Sequence, residues 1–431
     1  MKREIKLITP EFVEDYLTIY LNAYPAYKDI GDAGREKYRP KVLFSMENDK
    51  HIHFYGLFED ETLIATMKLI DFSINLFGKM QPATGLMALG VHPLYKKNKA
   101  ALEMVKFFED YAKSNGSSIA MLLPFRMDFY RKMGYGYGTK LDEYKIPTEV
   151  LPKVDKEEIK KLRFLTSNDD IEQMLLCHSA FAAKNHGMAE KFEDEIRNIK
   201  DDTQTRRIGY FEDGRLQGYV AYSLICESDV NYTINRMEVN ELVYMDGRIL
   251  LCLLGYLRNQ SDLAQTTVLR TGEPDFYHLL PSAQDTSGNY IDFGFLQTNI
   301  SAIGTMYKIV SPADFIEVTS YRKFPAISLT VRFSYEDELN HKTQKLTVNF
   351  SNEGWHKLDE ADSIMPDAEV HCTLSDLSAL FMGSCGFSSL VRLGAVTFDV
   401  SPRSSLKKSD CQDLLDRLFY CSQKPWTNTD Y

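Results

Sequence analysis

The feature that most constrains the fold of this chain is an internal repeat. Residues 57–60 (LFED) recur as residues 210–213 (YFED), an offset of 153 residues, and each copy is followed by an apolar strand. At the same offset, the apolar run 89–91 falls on the apolar run 242–244. A hairpin and a strand that keep one spacing are better explained by duplication of a fold than by chance.

Each copy of the repeat predicts one α/β domain. Strands alternate with helices through residues 1–150, a pattern typical of helices packed on a mixed sheet. The two copies are predicted to cover 1–150 and 151–295. The helix that begins near Lys99 in the first copy is expected over 251–260 in the second.

The C-terminal third, residues 296–431, has a different pattern. Apolar side chains alternate over 326–333 and 345–350, which is typical of strands with one buried face. Two helices are predicted at 375–382 and 410–420. A sheet covered by helices on one face is an α+β domain, so the fold class is two α/β domains followed by an α+β domain.

Composition limits the classes of function. The 50 Lys+Arg and 61 Asp+Glu give a net charge of −11, which suits a cationic substrate better than a nucleic-acid backbone. The seven cysteines form no C-x-x-C pair, and the nine histidines have no metal-ligand spacing, so neither disulfides nor a metal are expected. With no signal peptide and no run of about 20 apolar residues, we expect a cytoplasmic protein without a membrane partner.

The segment 89–102 (LGVHPLYKKNKAAL) is a candidate phosphate-binding site. An apolar strand ends at Pro93, and a loop with Lys96, Lys97 and Lys99 leads directly into a helix. The first turn of a helix exposes unpaired N–H groups and the positive end of the helix dipole, which suits a diphosphate. Taken alone, the pattern also fits a solvated basic helix start.

Two motifs carry a family resemblance. Val91, Pro93, Lys96 and Ala101 fill the first, third, sixth and last conserved places of motif A of the GNAT N-acetyltransferases, V-x-P-x-x-[RQ]-x-x-G-x-[GA]. Residues 129–136 (FYRKMGYG) resemble the FYxxxGF/YG turn that closes the same fold. The resemblance implies acetyl-CoA as co-substrate. The residues that it implies for cofactor binding are Leu89, Gly90, Val91, Lys96, Lys97, Asn98, Lys99, Ala100, Ala101 and Leu102.

The chain departs from motif A at Lys99, where the family has glycine. Glycine allows the backbone to approach the diphosphate closely, and a Cβ obstructs that approach. A lysine could contact the phosphate through its ammonium instead, and Asn98 tolerates unusual backbone angles. The sequence leaves two hypotheses open: an altered but working phosphate loop, or a domain that has lost transfer activity and serves as a scaffold.

The whole chain resembles the Eis-type acetyltransferases, which join a GNAT domain, a degenerate GNAT copy and a domain similar to sterol carrier proteins. The resemblance implies that Tyr130 is the general acid and that the terminal carboxylate of Tyr431 is the general base. It implies an amine acceptor, either an aminoglycoside- or polyamine-like cation or a lysine side chain, and a hexameric assembly. The alternatives are an aromatic core role for Tyr130 and a frayed terminus at Tyr431.

Three further expectations concern the surroundings of this site. Tyr20, Tyr24 and Tyr27 are expected beside the acceptor, because aromatic faces attract cations. Asp246 replaces the proline in the second copy, which also lacks the lysines, so that copy is expected to act as a scaffold without cofactor. The alternating strands of the C-terminal domain would be the place for a bound lipid if the chain were only a binding protein.

Overall fold

The computed structural model describes most of the 431-residue chain, namely residues 2–24, 26, 29–325, 327–359 and 365–429. Two residues of the predicted site, Tyr431 and Tyr27, lie outside the described residues. Within the described part of the chain, no helix is both long and apolar enough to cross a bilayer.

The N-terminal third alternates strands with helices, as the sequence predicts. In α3, the buried Met104, Val105, Phe108 and Ala112 recur at helical spacing and face the sheet. The elements are β1 (Arg3–Leu7), α1 (Val13–Ala23), α2 (Asp32–Asn48), β2 (Ile52–Glu59), β3 (Thr62–Leu76), β4 (Lys79–Val91), α3 (Ala100–Ser114), β5 (Ile119–Leu122), α4 (Met127–Arg131) and β6 (Gly136–Tyr137).

The middle third repeats this succession and then adds short strands. The elements are β7 (Lys140–Pro147), α5 (Lys156–Ile159), β8 (Leu162–Phe164), α6 (Asn168–Ala182), α7 (Glu193–Asp201), β9 (Arg206–Glu212), β10 (Arg215–Cys226), β11 (Asn235–Tyr244), α8 (Gly247–Arg258), β12 (Thr266–Thr271), β13 (Tyr290–Ile291), β14 (Phe295–Leu296), β15 (Ile300–Ile303) and β16 (Met306–Ile309).

The strands of the first two sheets are not confined to separate stretches of the chain. The first sheet has the order β1-β2-β3-β4-β5-β16-β6, and the second has the order β15-β7-β12-β11-β10-β9-β8. Strand β7 therefore joins the second sheet before residue 151, and β16 returns to the first sheet after residue 295. Strand β16 pairs antiparallel with both β5 and β6, which ties the two halves together. The residue limits given for the domains stay a prediction.

The repeat holds for the strands but not for the helix. The 153-residue offset is kept at the last residues of β2 and β9, at the first residues of β3 and β10, and at the last residues of β4 and β11. In the third pair, for example, Val91 corresponds to Tyr244. The helix predicted over 251–260 instead begins four residues earlier. The reason is Asp246, whose Oδ1 accepts a hydrogen bond from the Ile249 N–H at 3.0 Å and so starts α8 immediately after β11.

The C-terminal third is an α+β domain, which confirms the predicted fold class. Its sheet has the order β19-β18-β17-β20-β21. Aromatic rings fill its interior, and Phe381 stacks on Phe419 with ring centroids 5.9 Å apart. The elements are α9 (Pro312–Val318), β17 (Leu329–Asp337), β18 (Lys342–Ser351), β19 (Gly354–Leu358), β20 (Ala368–Thr373), α10 (Leu374–Phe381), α11 (Phe387–Arg392), β21 (Thr397–Val400) and α12 (Lys408–Phe419).

The segment after α12 runs back across the second domain. Trp426 packs on the backbone of Gly272, where an added Cβ would lie 2.5 Å from the indole Cγ. The Asn428 amide donates to Glu241 Oε1 at 3.0 Å, and its Oδ1 lies 3.1 Å from His178 Nε2. Thr429 is buried. The chain is therefore docked as far as Thr429, and the predicted role of Tyr431 stays untested because that residue lies outside the described part of the chain.

Candidate functional site

A cavity of about 1310 Å³ lies beside the ends of β4 and β5. The structure brings all ten of the predicted cofactor-binding residues to its wall, from Leu89 to Leu102, together with Tyr130. The cavity is larger than most pockets for a single drug-sized ligand, which measure about 300–1,000 Å³. It therefore has room for a long cofactor and a second substrate.

The cavity begins where two parallel strands separate. β4 pairs with β5 only from Thr84 to Leu86, although β4 continues to Val91. A bulge causes the separation: Ala88 has φ +55°, and both Ala88 and Leu89 lie opposite Met67 of β3. The last residues of β4 are thereby turned away from β5 and pair only with β3, which leaves their other edge facing the cavity.

The lysine loop has the backbone conformation that the family glycine favours. Lys99 adopts φ +68°, in the left-handed region, and Lys97 adopts φ +65°. Asn98 forms an Asx turn before the helix, because its Oδ1 accepts a hydrogen bond from the Ala100 N–H at 3.2 Å. The left-handed conformation costs a residue with a Cβ on the order of 1 kcal/mol. The loop has thus kept its shape despite the substitution at Lys99.

Replacing Lys99 with glycine is therefore expected to preserve or slightly raise stability. Relief of the left-handed strain contributes about 1 kcal/mol, and the greater freedom of glycine in the unfolded chain offsets part of it. Lys96→Gly is the matched control, since Lys96 has φ −64° and gains no relief; it should lose about 0.5–1 kcal/mol. Urea denaturation measures both, and equal losses would contradict the strain at Lys99.

Arg3 supports this loop from behind, and sequence reasoning missed it. Its guanidinium donates to the Asn98 carbonyl at 3.0 Å, to Glu103 at 2.5 Å and to Glu59 at 2.7 Å. These bonds tie the loop, the first turn of α3 and the end of β2 to one side chain. The only sequence signal is a charged residue on an N-terminal strand, which does not reveal a partner almost 100 residues away.

Tyr130 sits on α4 at the cavity wall and is only 7% exposed. Its ring packs edge-on against Tyr135, with centroids 5.8 Å apart. Burial raises the pKa of Tyr130 to about 12. The phenol is therefore protonated at neutral pH and can give a proton only to a strong base formed beside it.

The two glycines of the 129–136 motif have separate structural roles. Gly134 has φ +89° and makes the turn that returns the chain below Tyr130, where the Tyr135 N–H donates to the Tyr130 carbonyl at 3.1 Å. Gly136 allows close packing, because an added Cβ would lie 2.3 Å from the Ser375 carbonyl oxygen at the start of α10. The motif thus fixes both the tyrosine and the contact with the third domain.

A buried ion pair lies behind the motif. Lys308 of β16 donates to Glu109 of α3 at 2.8 Å and to the Met133 carbonyl at 2.7 Å. Burial raises the pKa of Glu109 to about 7, and the Lys308 ammonium opposes this rise. A glutamate on the apolar face of α3 is a visible sequence signal, but its partner is 199 residues away.

Aromatic side chains line the other end of the cavity. Tyr20, Tyr24 and Phe125 all contribute to its wall. The ring centroids of Tyr20 and Tyr24 lie 6.0 Å apart, and those of Tyr24 and Phe125 lie 6.3 Å apart. The Tyr24 hydroxyl donates to the Leu89 carbonyl at 3.1 Å, which places this aromatic group directly beside the separated end of β4.

The corresponding part of the second copy is used for structure. Glu241, in the last part of β11, has a side chain that is only 9% exposed and accepts hydrogen bonds from the Tyr219 hydroxyl at 2.8 Å and the Asn428 amide. The Lys191 ammonium lies 2.9 Å from the same carboxylate and holds its pKa below the usual range. Glu241 thus joins the second domain to the C-terminal segment, and Asp246 caps a helix.

Comparison with known families defines the class of the protein. Residues 4–138 match an acetyltransferase (GNAT) domain, residues 187–291 match a second acetyltransferase (GNAT) domain, and residues 313–428 match a sterol carrier protein domain. The chain therefore contains two GNAT acetyltransferase domains followed by a sterol carrier protein domain.

Solved structures share this three-domain fold over the whole chain. A GCN5-related N-acetyltransferase from Anabaena variabilis has 14% identity and a TM-score of 0.78, with 100% of both chains covered. Eis1 from Mycobacterium abscessus has 16% identity and a TM-score of 0.74, again with 100% of both chains covered. The chain thus has the fold of Eis1, as the sequence resemblance indicates. No curated protein sequence matches it.

Proposed function

We propose that the first GNAT domain transfers the acetyl group of acetyl-CoA to a primary amine. The observation that carries this proposal is one cavity whose wall combines the separated end of β4, the lysine loop and the buried phenol of Tyr130. These are the parts that an acetyl transfer needs: a site for a diphosphate, backbone donors for a thioester carbonyl, and an acid.

The cofactor would be held mainly by backbone groups and lysines. The N-terminus of α3, with Lys96, Lys97 and Lys99 around it, suits the diphosphate of CoA through its N–H groups and positive charge. The separated segment Leu89–Val91 supplies donors for the thioester carbonyl, whose oxygen gains negative charge in the transition state. The left-handed conformation of Lys99 supports the hypothesis of a working phosphate loop.

The proposed chemistry moves three protons. The acceptor ammonium loses a proton to a base, and the free amine attacks the thioester carbon to give a tetrahedral intermediate with a cationic nitrogen. Collapse of this intermediate breaks the C–S bond and Tyr130 protonates the departing thiolate, while the nitrogen releases its extra proton to solvent, from which the Tyr130 phenolate regains one. The family resemblance assigns the base to the terminal carboxylate of Tyr431, and the docking of Trp426 and Asn428 supports a fixed chain end.

The acceptor is proposed to be a cationic small molecule or a lysine side chain. The aromatic faces of Tyr20, Tyr24 and Phe125 suit a cation because the ring quadrupole attracts positive charge. An aminoglycoside- or polyamine-like amine fits this description, and the net charge of −11 favours its approach. We place the reaction in the cytoplasm, where free cysteines stay reduced.

A hexameric assembly is also proposed, and the β13–β14 hairpin supports an association surface. Phe293 at its tip is fully exposed, and Ile291 is 74% exposed. A two-stranded hairpin with such apolar residues is marginally stable by itself in water. Contact with a second copy of the chain would cover it.

Calorimetric titration with acetyl-CoA tests the proposed function. Binding in the micromolar range, about −8 kcal/mol, is expected for wild type. Lys99→Gly should bind more weakly because it loses a charge but keeps the loop shape. If neither protein gives heat or thermal stabilisation at millimolar acetyl-CoA, the enzyme hypothesis fails. If only Lys99→Gly binds acetyl-CoA, the lysine in the wild-type loop prevents binding, and the domain has lost its transfer activity at that position.

A further inference from the structure

The cavity described above is closed on one side by the sterol carrier protein domain. The β17–β18 hairpin contributes Glu336, Glu338, Leu339 and His341 to the cavity wall, and the start of α10 contributes Ser375. The cavity that holds the candidate phosphate loop is therefore built from the first and third domains together.

The hairpin is fixed against the first domain. Leu339 is 8% exposed and belongs to the same apolar cluster as Tyr130 and Met133. Glu338 Oε1 accepts hydrogen bonds from the Ser375 N–H at 3.2 Å and hydroxyl at 2.5 Å. Such a wall keeps its position relative to α4 and can contact a ligand with defined geometry.

An ion pair joins the two domains on the same side. Arg131 of α4 donates to Asp376 of α10 at 2.9 Å. The Arg131 guanidinium also lies over the Tyr137 ring, 5.0 Å from its centroid. The ion pair therefore links the end of α4 to the third domain, which also carries the hairpin.

The charges on the wall suggest what the hairpin contacts. Acetyl-CoA carries two anionic groups, the diphosphate and the 3′-phosphate of its ribose. Basic side chains occur in two parts of the wall: the lysine loop before α3, and Arg126, Arg131 and Lys132 around α4, with His341 on the hairpin. The first part matches the diphosphate. In the second part Arg126 is paired with Asp128 and Arg131 with Asp376, so Lys132 and His341 are the basic side chains there that make no ion pair with another described residue and can serve the 3′-phosphate.

We propose that the Glu336–His341 hairpin of the third domain forms part of the cofactor site and that His341 contacts the 3′-phosphate of acetyl-CoA. This inference rests on the proposed function. His341 adopts φ +52° at the end of the hairpin turn. Its ring N–H can donate to a phosphate oxygen, whereas the nearby carboxylate of Glu336 repels one. The third domain would thus select the complete cofactor over a truncated one.

The test compares acetyl-CoA with acetyl-dephospho-CoA, which lacks the 3′-phosphate, by calorimetric titration. Wild type should prefer acetyl-CoA by about tenfold, the usual worth of one charge-assisted hydrogen bond. His341→Gly, which tolerates the left-handed conformation, should weaken acetyl-CoA binding by about the same factor and abolish the preference. Glu336→Gln should strengthen acetyl-CoA binding by about two- to threefold, because a repulsive charge is removed.

Lys342→Ala is the matched control, since Lys342 is the next basic residue but does not line the cavity. It should leave both dissociation constants unchanged. If wild type binds acetyl-CoA while His341→Gly and Glu336→Gln change neither constant, this inference is wrong and the proposed function stands. If wild type binds neither compound, both fall. Melting temperatures within a few degrees of wild type verify that each variant is folded.

Discussion

Tyr130→Phe is expected to lower kcat by about 10²–10⁴-fold, the usual contribution of a positioned acid. The dissociation constant for acetyl-CoA should change little, since phenylalanine keeps the ring contacts with Phe129 and Tyr135. The reason is chemical: a CoA thiolate leaves more readily when a proton is delivered to the sulfur. Steady-state kinetics with a thiol reagent for released CoA measure kcat, and calorimetry measures the binding constant.

Tyr135→Phe is the matched control for this experiment. Tyr135 lies five residues after Tyr130 and is fully buried in the same apolar cluster. It does not line the cavity. Loss of its hydroxyl should leave kcat within about twofold, as expected for a residue outside the site. If Tyr130→Phe keeps the wild-type kcat, Tyr130 is not the acid and serves only as an aromatic core residue.

The pH dependence of kcat offers a second readout for Tyr130. Because burial raises the pKa of Tyr130 to about 12, the phenol stays protonated well above neutral pH. The acid should therefore impose no fall in kcat below about pH 11, and the rate at lower pH should follow deprotonation of the acceptor and the base. Tyr130→Phe should lower the whole profile without changing its shape.

Local patterns in the sequence were enough to predict much of the fold. The 153-residue offset places the hairpins and the ends of β4 and β11 correctly, because each depends on neighbouring residues. The helix of the second copy was placed four residues late, because the capping role of Asp246 outweighed the spacing of the repeat. Helix α2 was missed because its sequence is strongly polar and contains Pro40.

Only those parts of the candidate site that lie in short, continuous sequence segments could be predicted. The motifs around Lys99 and Tyr130 lie in short segments, and the cavity brings both to one wall. The supporting contacts come from distant residues: Arg3 behind the loop, Lys308 beside Glu109, and the hairpin that contains His341. A single sequence does not identify such pairs, since each depends on how residues far apart in the chain pack together.

Lys308→Met is expected to lower the free energy of unfolding by about 3–5 kcal/mol, the usual cost of removing one partner from a buried ion pair. Glu109 is 4% exposed and would keep its carboxyl in an apolar setting without the ammonium. The turn below Tyr130 would also lose the hydrogen bond from Lys308 to the Met133 carbonyl. Urea denaturation followed by circular dichroism measures the loss.

The loss of unfolding free energy in Lys308→Met, relative to wild type, should grow with pH. The pKa of Glu109 in the folded protein, about 7, lies above its unfolded value, so its contribution to stability is fully present below about pH 4.5 and is lost as pH rises through 7. Without the ammonium, burial raises this pKa further and the loss continues to higher pH. The gap between variant and wild type should therefore be larger at pH 8 than at pH 5.5.

The double variant Glu109→Gln/Lys308→Met separates coupling from simple loss of packing. Because glutamine is neutral, the pair no longer contains an uncompensated buried charge, and the double variant should be more stable at pH 8 than Lys308→Met alone. Its stability should also vary less between pH 5.5 and pH 8. A deficit that is the same at both pH values, or a double variant whose losses simply add, would show that the two residues stabilise the folded protein independently.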